Sequence, residues 1–369
     1  MLLVNWTNCI KKYRLTALFN NNYFIKMDQF YTRKNIDSST IELTITIPRG
    51  SFEQSYSNAL KQKASEVSIK GFRKGKVPVN MVEEELGDTV RIETLDKLLP
   101  YYFSTALQKE NITPIAPPDY KDFPALKGSE DIKIVMNITV MPEFKLGDLK
   151  KIKVEKEDSA VSDKEVDDAL NGLLKNNNTK TKEINDEWAK EIAELLKANG
   201  VTDLASLKKY VSDTLKSQKE HMAKHKTEDS ILEQAISLSK IEIPQPAVKY
   251  EASERENSFN KDMASRGVKV DDFLNANNLT IEKMRELWEK DATKALQTDV
   301  FLRLYTRERE LQVTDEDLAK RIEEIKKTAP ADTDQSIFEN EEWKEYIRRV
   351  IQKDLAFQKF SEEVLGKKE

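Results

Sequence analysis

The sequence predicts a mainly helical protein of more than one domain, with an α+β module near the N-terminus and an all-α region after it. Its 369 residues exceed the ~150 residues of a typical domain. The 10 glycines and 11 prolines make up just under half of the ~12% share usual in soluble proteins, which favours long helices and excludes an all-β fold. Because fourteen of them lie between Pro48 and Gly147, we expect a domain boundary near Gly147.

Charge and cysteine content narrow the class of protein. With 60 basic and 65 acidic residues the net charge is -5, so a basic coat for nucleic acid is excluded and any polyanion contact must be a local patch. The single cysteine, Cys9, excludes an internal disulfide framework and suits a reducing compartment. No stretch approaches the ~20 apolar residues of a membrane span, and the start of the chain lacks the pattern of a signal peptide. We expect a cytoplasmic protein with no membrane partner.

Residues 28–147 are predicted to form the α+β module. Residues 1–27 before it are expected to be an extension, either a translation-start artefact or a disordered tail, because Met27 begins a stretch that reads better as a protein start. Ile41–Ile47 alternates apolar and polar residues, the period of a half-buried strand. The other predicted elements are a second strand, three helices and the loop between the first two of them: Ile132–Val140; Phe52–Ser68, Pro78–Leu86 and Glu93–Lys109; and Ile69–Val77.

Residues 148–184 are predicted to be a linker and a connecting helix. Ile152–Glu157 looks extended. Ser162 and Glu165 form a capping box, which opens a helix toward Leu174. The polar stretch 176–182 has no apolar period and is typical of a connector.

Residues 185–369 are predicted to be helical throughout. A capping box at Thr314 and Asp317 opens one helix, which Pro330 stops, and Trp343–Val364 is another. Trp188 is predicted to be a core residue. Two apolar stripes, with side chains three and four residues apart, are expected to face partner helices: Leu204, Leu207, Val211 and Leu215; and Met284, Trp288, Ala292 and Ala295.

The strongest local charge lies between the first two predicted helices. Glycines at 71 and 75 permit positive φ there, and Pro78 suits the first helical position. A tight turn would present Phe72, Arg73 and Lys74 together, two phosphate-pairing cations beside an apolar contact. An ordinary solvated basic loop would have the same composition. The stretch has a net charge of +5, from one acid, Glu66, and six basic residues: Lys61, Lys63, Lys70, Arg73, Lys74 and Lys76.

The sequence contains no phosphate loop, nucleophile elbow or paired-cysteine motif, so it suggests neither an enzyme nor a cofactor. His221 and His225 have the spacing at which two imidazoles can share a metal. However, Met222 stands where a zinc-protease motif has glutamate. The neighbouring lysines would repel a cation: Lys219, Lys224 and Lys226. We expect a solvated helix face here and no metal.

The octapeptide Gly71–Pro78 resembles the signature of the trigger factor family, chaperones that meet nascent polypeptides at the ribosomal exit tunnel. The family pattern is glycine, phenylalanine, arginine, any residue, glycine, lysine or arginine, any residue and proline, and every fixed position is present. The resemblance extends to the strand Ile41–Pro48, the helix end Glu84–Gly87 and the strand Ile132–Phe144. In the C-terminal part, three segments are similar to the family's elongated helical arms domain: Glu187–Gly200, the long helix from Leu204 and the break Ile241–Pro244.

The resemblance implies a site and its partners. Phe72, Arg73 and Lys74 would touch protein and RNA of the large ribosomal subunit beside the tunnel exit. The arms would hold nascent or unfolded polypeptides without ATP and without a discrete binding triad. The free protein would be able to form a homodimer, as the family can. The residues that would shape the loop are Gly71, Gly75, Lys76 and Pro78.

One departure concerns catalysis. Where the family usually inserts a peptidyl-prolyl isomerase domain, this chain has only Lys175–Ile184. An aromatic pocket of ~300 Å³ or more needs a scaffold of its own, so we expect no isomerase activity and no enzyme.

Three alternatives stay open from the residues alone. An RNA-binding or ribosome-assembly factor would use the same basic loop, and RNA binding with a steep salt dependence but no affinity for unfolded protein would favour it. A periplasmic chaperone similar to SurA would share the helical core, although the missing signal peptide and the intact loop argue against it. The third is an isomerase with an unrecognised site.

Overall fold

The computed structural model describes residues 30–69, 72–122, 124–154, 159–177, 179–330 and 333–366. The predicted extension 1–27 lies outside these residues. The chain divides into two compact units: the first comprises the described residues up to Glu143 together with Glu242–Leu296, and the second comprises Phe144–Ile241 and Gln297–Glu369. The predicted fold class, an α+β N-terminal part and an all-helical remainder, is confirmed. The three-part division into 28–147, 148–184 and 185–369 stays a prediction.

A four-stranded antiparallel sheet lies in the first unit, in the order β1-β2-β4-β3. In its centre Ile41 pairs with Ile138 and Ile47 with Ile132, so the two predicted strands are confirmed and their apolar faces coincide. The sequence did not predict the edge strands. The first is polar without alternation, and the other has two residues. The strands are β1 Tyr31–Asn35, β2 Thr40–Ile47, β3 Asp119–Tyr120 and β4 Ile132–Thr139.

Two helices, α1 (Arg49–Glu66) and α2 (Val79–Lys109), pack beside this sheet and share its core. The sequence predicted a break within α2, with a helix end at Gly87, and this was wrong. Gly87 is buried inside the helix, and an ideal Cβ there would lie 3.0 Å from the hydroxyl of Tyr56. Glycine therefore permits close packing, and burial of the apolar face of α2 outweighs its low helix propensity.

Three helices of the second unit share one core: α3 (Asp163–Asn176), α4 (Asp186–Leu196) and α5 (Leu204–Leu238). Trp188 is fully buried in it, as predicted. The capping box of Ser162 and Glu165 is confirmed. Ile152–Val154 has no regular structure, and the rest of that predicted extended segment lies outside the described residues.

The predicted apolar stripe of Met284, Trp288, Ala292 and Ala295 is confirmed in part: Ala292 is buried, but Ala295 is exposed and Leu296 packs against the cluster instead. In the first unit Val248, Ala252 and Ala292 are buried together, with Trp288 half-buried against them. In the second unit the Phe360 ring lies 4.9 Å from that of Phe301. The capping box at Thr314 is confirmed. The remaining helices are α6 (Gln245–Ser265), α7 (Val270–Ala276), α8 (Ile281–Glu308), α9 (Asp315–Thr328) and α10 (Glu341–Leu365).

Among the described residues, no helix combines the length and the apolar character that crossing a membrane requires.

Candidate functional site

The basic loop is held at its base by the pairing of α1 with α2. The Tyr56 ring stacks on Phe52 of the same helix, and its hydroxyl donates to Glu83 at 3.1 Å. The guanidinium of Arg91 lies 4.0 Å from the centre of the Tyr56 ring. Burial raises the pKa of Tyr56 to about 12, so the hydroxyl keeps its proton and its hydrogen bond well into the alkaline range. These contacts fix the two helices from which the loop projects.

Apolar side chains hold down both ends of the loop. Val77 is buried in the core of the first unit, and Val67 and Ile69 pack half-buried against the same core. The backbone N–H of Phe72 donates to the carbonyl of Ile69 at 3.0 Å. The exposed tip therefore lies between two anchored ends.

The tip itself is a tight turn. The N–H of Lys76 donates to the carbonyl of Arg73 at 2.9 Å, which closes a four-residue turn. Gly75 occupies its third position with φ +78°, the value that a type II turn requires and that glycine adopts without strain. An ideal Cβ at Gly75 would also lie 3.3 Å from the carbonyl oxygen of Ser65. The predicted shaping role of Gly75 therefore has a structural basis, whereas Gly71 lies outside the described residues.

The turn brings the three predicted site residues together at the surface. Phe72 is 38% exposed, and Arg73 and Lys74 are exposed beside it. Neither cation makes a hydrogen bond or an ion pair with any residue that the structure describes. Lys76 is also exposed, but its backbone is what closes the turn. The tip thus presents an apolar ring beside two cations that no described residue pairs.

Two details of the site differ from the sequence prediction. Pro78 precedes α2 instead of occupying its first position, and its carbonyl accepts from the N–H of Met81 at 3.0 Å. The net charge of +5 overstates the free charge, because Lys63 pairs with Glu93 of α2 at 2.8 Å. Glu93 lies thirty residues further along the chain, so no local pattern could have identified this pair.

The two histidines lie on a solvated helix face, as expected from the sequence. His221 and His225 are exposed on α5, with ring centres 4.4 Å apart. In the described part of the chain, no three metal-ligating side chains converge.

Comparisons with known proteins agree with this architecture. Two family models match: bacterial trigger factor protein over residues 30–173 and bacterial trigger factor protein C-terminus over residues 203–362. The trigger factor of Halalkalibacterium halodurans is 22% identical over 378 residues, which cover 77% of this chain and 86% of that protein. The trigger factor of Bacillus pumilus is 23% identical over 384 residues, which cover 78% and 88%.

A solved structure of the trigger factor chaperone shares the fold. It is 19% identical, covers 90% of this chain and 100% of its own, and has a TM-score of 0.50. None of these matches favours the RNA-binding factor or the chaperone similar to SurA. The chain belongs to the trigger factor family, whose members are ribosome-associated chaperones.

Proposed function

We propose that the protein docks on the large ribosomal subunit beside the tunnel exit through Phe72, Arg73 and Lys74. The observation that carries this proposal is an exposed phenyl ring beside two cations that no described residue neutralises. Arginine and lysine pair with phosphate oxygens, and an aromatic ring supplies the apolar contact of a protein interface. A surface made of both RNA and protein offers phosphates to the two cations and an apolar contact to the phenyl ring.

Co-sedimentation with ribosomes at physiological salt tests the proposal. The triple variant Phe72→Ala, Arg73→Ala, Lys74→Ala is expected to stay in the supernatant while the parent pellets. Because all three side chains are exposed, their removal leaves the core of the first unit intact. If the parent and this variant pellet alike, the loop is only a structural turn and the proposal falls.

A matched control removes the same side-chain types elsewhere. Tyr346, Lys327 and Arg349 are an exposed aromatic residue and two exposed cations on the helical part of the chain. Their replacement by alanine is expected to leave pelleting unchanged. With only Arg73→Ala and Lys74→Ala, the salt dependence of binding is expected to become shallower, by about 0.7 in log–log slope for each cation that pairs with a phosphate in the parent.

The helical part of the chain is proposed to hold nascent or unfolded polypeptides in the cytoplasm without ATP. Several apolar side chains stand exposed on its helices and offer client contacts, among them Leu195 at 58% and Met222 at 62%. Binding of an unfolded client delays its aggregation by mass action and requires no chemistry. A homodimer of the free protein belongs to the same proposal.

Isomerase activity is not part of the proposed function. Helix α3 ends at Asn176 and α4 begins at Asp186. Of the residues described between them, Lys180 and Thr181 are tied to Glu191 of α4: the Lys180 N–H and the Thr181 hydroxyl each donate to its carboxylate at 2.8 Å. A short connector held in this way has no room for an enclosed proline site. We expect the purified protein to leave prolyl isomerisation in a test peptide at its uncatalysed rate, and a clear acceleration would contradict this.

A further inference from the structure

The middle of α5 is a long solvated stretch of helix. No residue between Val211 and Ile231 is buried. His221 and His225, the only two histidines of the chain, lie in this stretch and are exposed. The proposed function, ribosome docking by the loop and client binding by exposed apolar side chains, gives these two histidines no role.

Their geometry suits a shared ligand. The two ring centres are 4.4 Å apart, one helical turn along the same face. The Nδ1 of His225 lies 3.4 Å from a carboxylate oxygen of Glu228, whose side chain is only 14% exposed. Histidines that ligate metals usually turn one ring nitrogen toward such a carboxylate, which orients the ring and leaves Nε2 for the ion.

The structure also weakens the objection raised by the neighbouring lysines. The ammonium of Lys219 lies 2.7 Å from a carboxylate oxygen of Glu165 on α3 and donates to the carbonyl of Ala160. The ammonium of Lys224 lies 3.7 Å from Glu228. Two of the three cations that would repel a metal ion are thus held by carboxylates.

We propose that His221 and His225 bind one divalent late transition-metal ion, such as Zn²⁺, through both imidazoles. Imidazole is a preferred ligand of these ions, whereas Mg²⁺ and Ca²⁺ prefer oxygen. Because no third protein ligand converges among the described residues, water completes the coordination and the ion exchanges readily. An ion held at both positions requires residues 221–225 to be helical, so binding stabilises this solvated stretch of α5.

Titration of the full-length protein with Zn²⁺ at neutral pH tests this. With only two histidines in the chain, the NMR signals of both imidazoles can be followed individually, and calorimetry gives the stoichiometry. We expect both imidazoles to shift together up to one equivalent of Zn²⁺, and amide exchange around residues 221–225 to slow. His221→Ala is expected to abolish the joint shift, and Glu228→Gln to weaken binding by about tenfold.

A respaced variant is the matched control. His225→Lys combined with Lys226→His keeps the composition but places the two imidazoles about 140° apart around the helix, where they cannot share an ion. This variant is expected to lose the one-equivalent binding. If it binds Zn²⁺ as tightly as the parent does, or if the imidazole signals of the parent do not respond, the proposed site does not exist.

Discussion

Replacing Trp188 by alanine is expected to lower the free energy of unfolding of the α3–α5 core by about 3–5 kcal/mol. The Trp188 side chain is fully buried, in the core cluster that also contains Leu170 of α3 and Leu207 of α5. Removal of the indole loses the free energy of its burial and leaves a cavity, because the three packed helices relax only partially around it. Hydrogen exchange of α3, α4 and α5 amides measures this loss in the intact chain.

Trp188→Phe is the matched control. The indole Nε1 of Trp188 is buried, and no described residue forms a hydrogen bond with it. Phenylalanine keeps most of the ring volume and removes this unpaired N–H, so the loss is expected to stay below about 1.5 kcal/mol. If the alanine and phenylalanine variants exchange alike, Trp188 does not organise this core.

Replacing Gly147 by alanine is expected to destabilise the second unit by about 1–3 kcal/mol. An ideal Cβ at Gly147 would lie 2.5 Å from the carbonyl carbon of Leu238 and 2.8 Å from the backbone nitrogen of Ser239. These are backbone atoms at the end of α5, so relief requires the chain to move. The N–H of Gly147 also donates to the hydroxyl of Ser239 at 3.0 Å, and the displacement would break this bond. Exchange of the amides at the end of α5 is expected to accelerate.

Gly172→Ala gives the opposite expectation in the same unit. Gly172 lies inside α3, and apart from the backbone of α3 itself no described atom lies within 4 Å of an ideal Cβ there. Because alanine is the better helix former, this change is expected to stabilise the unit by about 0.5–1 kcal/mol. If the two glycine-to-alanine substitutions change the free energy of unfolding in opposite directions, the effect of close packing at Gly147 is distinguished from the effect of helix propensity at Gly172. Equal effects of both changes would show that Gly147 makes no close approach in solution.

Elements governed by neighbouring residues could be predicted from the sequence. The capping boxes at Ser162 and at Thr314 each need only two residues three positions apart, and both are formed as predicted. Elements that depend on distant partners could not be predicted in this way. Strand β1 is polar, and it is held by pairing with β2 and by the Tyr31 hydroxyl, which donates to Glu110 at the end of α2.

The candidate site shows the same division. The octapeptide indicated a tight turn with Phe72, Arg73 and Lys74 at its tip, because the conformational preference of glycine acts within a few residues. That the two cations have no described partner, while Lys63 of the same basic stretch is paired with Glu93, depends on how α1 and α2 pack. The net charge of +5 read from the sequence does not distinguish a paired lysine such as Lys63 from the cations at the tip.

The sequence by itself determined the fold class, the capped helix starts at Ser162 and Thr314, the turn and the family resemblance, because all of these follow from short-range patterns and a local motif. Only the tertiary structure decided that α2 is continuous through Gly87, that Gly147 contacts the end of α5 and that two lysines beside His221 are held by carboxylates. The continuity of α2, the close approach at Gly147 and the pairing of Lys219 with Glu165 depend on atoms far apart in the chain, whereas Lys224 and Glu228 lie one helical turn apart. Burial and Coulomb attraction act on distance in space, not on separation along the sequence.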